Sequence, residues 1–118
     1  MKIEVSNGEI VDKMTILEIK LNKIQNNVQL ENVEKEWTIL NDCVMALYQI
    51  YGDSNLYSLV DDLSEVNSKL WDIEDWIRDC EKEQRFDKEF VELARSVYKL
   101  NDERSEIIKT LFQKVGEE

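Results

Sequence analysis

Histidine is absent from this 118-residue chain, and so is proline; glycine occurs three times and cysteine twice. Without histidine there is no Ser-His-Asp or Cys-His triad, no HExxH zinc helix and no ExxH di-iron bundle motif. Without proline, where an ordinary chain of this length carries about six, nothing forces a helix to stop. Cys43 and Cys80 are too few and too isolated for a disulfide framework or a CxxC zinc site. Each falls within an apolar helical pattern and reads as a small buried hydrophobe, kept reduced. No run of about 18 apolar residues is present to span a bilayer, and Met1-Lys2-Ile3-Glu4 lacks the apolar stretch of a signal peptide, so the expected location is the cytoplasm. Cations are also scarce. Against 26 Asp and Glu stand 15 Lys and Arg, a net charge of -11, which disfavours nucleic acid and anionic membrane as partners.

What is present is helix-forming. Hydrophobic residues make up 42% and charged residues 35% of the sequence, enough for one domain over residues 1–118 with a real core, since a chain of this mass buries about two thirds of its extended surface. Ser6 with Glu9 three residues later is a capping box, which predicts a first helix from about Asn7 to Gln25 before a break at Asn26-Asn27. A second helix, from about Leu30 to Tyr51, repeats Val33, Trp37, Leu40, Val44, Leu47 and Tyr51 and stops at Gly52. The third, Ser54 to Lys82, keeps Leu56, Leu59, Leu63, Val66, Leu70, Ile73, Ile77 and Cys80 in register. The fourth opens at Asp87, with Phe86 and Val91 placed as a hydrophobic staple, and runs through Leu93, Val97, Leu100, Ile107 and Leu111 to Gly116. Short connections predict antiparallel neighbours, so the fold class is all-α: a four-helix antiparallel bundle or two packed helical hairpins, with Met1 to Val5 as a short extended arm. Most of the acidity sits on the third helix, where residues 53–84 carry a net charge of -7.

Polar residues interrupt these patterns. The spacing from Val97 and Leu100 puts Arg104 at a core position of the fourth helix, where an unpartnered guanidinium would be very costly. Its partner is expected on the third helix, where Asn67 and Glu74 flank the apolar seam; Asn101 flanks the fourth. On the first helix Glu9, Asp12 and Glu18 are within reach of the same centre, and Asp75 and Arg78 lie near its rim. The second helix carries another apolar stripe, Ile39, Cys43, Ala46 and Ile50, which predicts either a central helix or a face shared with a second chain. Trp71 falls outside its own seam and adds packing, an oligomer contact or a stacking platform. A homodimer is the expected assembly.

Three stretches resemble a domain of unknown function found in short bacterial and phage proteins. They are Gly8-Glu9-Ile10-Val11-Asp12-Lys13 with Ile16-Leu17-Glu18-Ile19-Lys20, Leu70-Trp71-Asp72-Ile73-Glu74-Asp75-Trp76-Ile77-Arg78, and Phe90-Val91-Glu92-Leu93-Ala94-Arg95-Ser96-Val97-Tyr98 with Asn101-Asp102-Glu103-Arg104. The resemblance covers helices one, three and four, leaves out helix two, and puts that family's charged words at Glu9, Asp12, Lys13, Glu18, Glu74, Asp75, Arg78, Arg95, Asn101, Asp102 and Arg104. It implies an association with surface-polysaccharide and nucleotide-sugar metabolism and no particular activity.

Three functions fit these residues. The first is a non-catalytic helical module that binds a small polar or anionic ligand, or a partner protein, through Asn67, Trp71, Glu74, Arg78, Arg95, Asn101 and Arg104, without a cofactor. The second is a Mg-dependent all-α nucleotide pyrophosphohydrolase, in which Glu9, Asp12, Glu18 and Asp75 would supply hard oxygen ligands. The third is a scaffolding homodimer whose polar centre is an internal network.

Overall fold

The structure, a computed structural model, describes residues 6–115. The Met1 to Val5 arm and the Gly116 stop lie outside the described residues. Among the described residues four helices follow in order: α1 (Asn7–Lys23), α2 (Asn27–Tyr51), α3 (Ser54–Lys82) and α4 (Lys88–Lys114). Each starts at a side-chain cap, the expected remedy for backbone N–H groups that have no partner in the first turn. Ser6 Oγ accepts from Glu9 N at 3.2 Å, Asp53 Oδ1 from Leu56 N at 2.9 Å, and Asp87 Oδ1 from Phe90 N at 3.2 Å. Asn26 Oδ1 takes both Val28 N and Gln29 N at 3.0 and 3.1 Å. That double cap lets α2 begin at Asn27, three residues ahead of the expected start at Leu30, and α1 ends at Lys23 rather than Gln25. At the start of α4 the Phe86 ring meets Phe90 edge-on, with centroids 5.1 Å apart.

The turn between α3 and α4 is a Schellman motif built without glycine. Gln84 N donates to Glu81 O and Arg85 N to Cys80 O, and Gln84 takes φ 55. An L-residue is strained in that left-handed conformation. Gly52 has the opposite logic: its backbone is extended, but a Cβ there would lie 2.0 Å from the Tyr48 carbonyl oxygen.

Packing resolves the architecture as two hairpins, α1 with α2 and α3 with α4, joined by α1 lying against α3 and α4. α1 and α4 run antiparallel. Asn7 Nδ2 donates to Val115 O at 3.4 Å, and a Cβ on Gly8 would fall 1.9 Å from the Phe112 ring, so this glycine lets the two helices close. α1 is the inner helix, with Gly8, Val11, Met14, Thr15, Leu17 and Ile19 buried over most of its circumference. The main core gathers Val11 and Met14 of α1, Val44 and Leu47 of α2, Leu56 and Leu63 of α3, and Leu111 and Val115. Toward the Gln84 turn the support thins, and Ile73, Ile77, Leu93, Val97 and Leu100 are only half-buried.

One sequence expectation is corrected here: Cys43 is exposed, and only Cys80 is buried. Of the two alternatives for α2 the central position does not apply: one of its apolar stripes packs inward, and the other, with Ile39 66% and Ile50 70% exposed, faces out.

Replacing Gln84 by glycine removes the left-handed strain and is expected to stabilise the fold by about 1 kcal/mol, read as a melting temperature a few degrees higher. Asp53 caps α3 and also pairs with Lys114 at the end of α4. The Lys114 hydrogen bond, followed by that from Leu56 N, holds its carboxyl below the ordinary aspartate value. The native state therefore takes up this proton less readily than the unfolded chain, so the stabilisation is complete above the ordinary aspartate range and fades as pH falls through the lowered native value. Asp53→Ala should lower the melting temperature at neutral pH and shrink its drop on acidification; an unchanged acid slope would exclude this assignment.

Candidate functional site

Arg104, the polar residue on an apolar seam, is the hub of a network across three helices. Its Nε donates to Asn67 Oδ1 of α3 at 2.9 Å, and its Nη2 pairs with Asp12 Oδ2 of α1. Asn67 is 6% exposed, and both amide hydrogens are used: Nδ2 donates to Asp12 Oδ1 at 3.1 Å and to Thr15 Oγ1 at 2.9 Å. Thr15 in turn donates its hydroxyl hydrogen to the Asp12 carbonyl at 2.7 Å. Among the described residues no buried side-chain nitrogen or oxygen lacks a partner. The network satisfies itself, as a buried polar group must to be tolerated.

Sequence reasoning placed Arg104, Asn67 and Asp12 in one polar centre, expected the partner of Arg104 on α3 at Asn67 or Glu74, and kept Glu9, Asp12 and Glu18 of α1 within reach of it. The counter-charge is Asp12. Glu18 turns to the other side of α1, where its Oε1 accepts from Trp37 Nε1 of α2 at 3.5 Å. Thr15 was missed; its signal was a hydroxyl three residues after Asp12 on the same helical face.

Beside the network opens a cleft of about 340 Å³ lined by Ile16 and Ile19 of α1, Asn67, Leu70, Trp71 and Glu74 of α3, and Asn101 and Arg104 of α4. The spacing explains the convergence: residues 67, 70, 71 and 74 share one helical face, and residues 101 and 104 share another. Trp71 is half-buried, while Glu74 and Asn101 are exposed. The hydrogen bonds to Asn67 and Asp12 engage two of the five N–H donors of Arg104. Five of the seven residues proposed for ligand binding therefore meet at one cleft. Arg78 and Arg95 do not: Arg78 pairs with Asp75 one turn away on α3, and Arg95 is exposed on α4.

The four carboxylates considered for metal are dispersed. Asp12 is held by Arg104 and Asn67, Glu18 by Trp37 and Asp75 by Arg78, and Glu9 is exposed in the first turn of α1. Among the described residues no three carboxylates or thiols converge to hold an ion. On another face of the α3–α4 pair, Val66 and Ile107 lie in a wider groove of about 550 Å³ with Asp62, Glu65, Lys69, Asp102, Glu103 and Glu106. The acidity also reaches Tyr48, whose phenol is pushed above its ordinary value by burial first, then by Asp61 and Glu18. Among the described residues no helix is long and apolar enough to cross a membrane.

These features define an all-α protein of two packed hairpins with a self-satisfied polar centre and one mixed cleft. The chain belongs to the family of unknown function DUF6165, which matches residues 1–116. No curated protein and no solved structure matches it.

Substituting Arg104 by alanine strands Asp12 and removes a donor from Asn67. With both partners mostly buried, the expected loss is about 2–3 kcal/mol in urea unfolding, and Asp12→Ala should cost a similar amount. The double variant should cost clearly less than the sum of the two, because the residues form one unit. Additive losses would mean that the pair contributes no coupling.

Proposed function

We propose that the protein is a non-catalytic helical module that binds a small, neutral, hydroxyl-rich ring in the Trp71 cleft. The observation that carries this reading is the convergence of an aromatic, three aliphatic and four hydrogen-bonding side chains in a cavity of about 340 Å³, the lower end of ligand-site volumes of about 300–1,000 Å³. Trp71 offers an apolar face for a ring to stack on, and Asn101, Glu74 and the remaining Arg104 donors offer both donors and acceptors to hydroxyl groups. Charge selects the ligand. Asp12 already neutralises Arg104, and Glu74 adds a carboxylate, so a strongly anionic group gains little here while a sugar-like ring gains hydrogen bonds without a charge penalty. A link to nucleotide-sugar or surface-polysaccharide metabolism accords with this chemistry, the sugar rather than the phosphates occupying the cleft. The two free cysteines, one of them exposed, suit a reducing cytoplasm.

Thermal unfolding against monosaccharides, nucleotide sugars and nucleoside monophosphates, each with Mg and with EDTA, tests the proposal. A sugar-containing compound should raise the melting temperature, the shift should survive EDTA, and Trp71→Ala or Asn101→Ala should remove it while leaving the unliganded protein folded. A shift that requires Mg would favour the pyrophosphohydrolase and call for an assay of pyrophosphate release. No shift with any compound would leave the polar centre as architecture alone.

A further inference from the structure

The fold uses one of the two apolar stripes of α2. Val33, Val44 and Leu47 are buried, whereas Ile39 and Ile50 are 66% and 70% exposed, with Cys43 and Ala46 exposed between them. At 3.6 residues per turn the second stripe lies roughly 100° around the helix from the first. Its steps are four, three and four residues, and its side chains run large, small, small, large. That order reads the same in both directions, so two copies paired antiparallel about a twofold axis set large side chains against large and small against small.

We infer that two copies of the chain associate through α2 as an antiparallel helix pair about a twofold axis between residues 44 and 45. Ile39 then packs against the partner's Ile50, and Cys43 against the partner's Ala46, whose small size lets the helices approach closely. A second observation fits this register. A hollow of about 200 Å³ is lined by Glu36, Ile39, Leu40 and Lys13. Glu36, Ile39, Leu40 and Cys43 form the four-residue diamond that receives a knob in helix packing, and the partner's Ile50 arrives there.

Charge does not oppose the contact despite the acidity of the chain. Asp42 on the flank falls opposite the partner's Gln49. At the end of the contact Glu36 already has a lysine, Lys13 at 3.8 Å. Residues 39–50 cover about 17 Å of a helix about 10 Å wide. That is less than a standard interface of about 1,200–2,000 Å² needs, so the dimer is weak and concentration-dependent. With axes about 8 Å apart the two Cys43 α-carbons lie about 6 Å from each other, within the reach of a disulfide. Cys80 is buried and does not compete.

Sedimentation equilibrium of the full chain, over about two decades of concentration spanning the micromolar range, reads the association directly. The expected mass rises from one chain toward two, and Ile39→Glu and Ile50→Lys each hold it at one chain with unchanged helical circular dichroism. The double variant, in which opposite charges meet across the axis, regains the dimer. Oxidation by copper phenanthroline links the wild type through Cys43 and leaves Cys43→Ser and Ile39→Glu unlinked. A single-chain mass at every concentration, a dimer that survives Ile39→Glu, or cross-linking equal in wild type and Ile39→Glu overturns the interface. Failure of the double variant to associate overturns the antiparallel register.

Discussion

One half-buried cation organises the middle of this molecule. A guanidinium on the apolar seam of α4 cannot be left alone between helices, and the cost of stranding it fixes what surrounds it. Asp12 supplies the opposite charge from α1, Asn67 supplies an oxygen from α3, and Thr15 takes up the hydrogen that Asn67 would otherwise leave unused. Sliding any of the three helices by one turn would break several of these bonds at once, so the network sets their register more strictly than apolar contacts could. The cleft is a consequence of that register, because Ile16 and Ile19 lie one turn beyond Asp12 and Thr15, Leu70, Trp71 and Glu74 one to two turns beyond Asn67, and Asn101 one turn before Arg104.

The same region marks a change in support. α1 has 17 residues and α3 has 29, so at 1.5 Å per residue the inner helix runs out while the α3–α4 hairpin continues. Lys23, the last residue of α1, meets Asp72 at 3.1 Å. Beyond it the two long helices have mainly each other, which is why a seam that is regular in sequence becomes only half-buried in space. Cys80 is the exception, buried near the tip with Arg85 Nη2 donating to its sulfur at 3.2 Å. Local opening should be easiest in this arm and hardest around Leu56, Leu63 and Leu111, which places the cleft at the edge of the rigid part.

Much of the fold was legible because helices without proline announce themselves by period and cap. The bounds of α3 and the caps Ser6 and Asp87 follow from local chemistry, and local chemistry is what a sequence records best. Arg104 was legible as a fault in a pattern, and Asn67 as a polar residue beside one. The identity of the counter-charge was not, since Asp12 is 92 positions from Arg104 and several carboxylates had equal claims by spacing. Thr15 was passed over because a helical threonine needs no special partner, and its position one turn from Asp12 is a weak signal. Cys43 misled for a related reason: periodicity shows that a helix has two apolar faces and says nothing about which one the rest of the chain will cover.

That ambiguity in α2 is informative once the packing is known. The cleft draws its walls from α1, α3 and α4 and none from α2, whose inward stripe meets the core and whose outward stripe is left largely exposed. Contact between copies through α2 would therefore leave the cleft open. It would also press on α1 from behind, through Lys13 and Glu36, while Asp12 and Thr15 hold the front of that helix to Asn67 and Arg104. The inner helix touches both surfaces, and it is the most direct route for coupling between association and occupancy of the cleft.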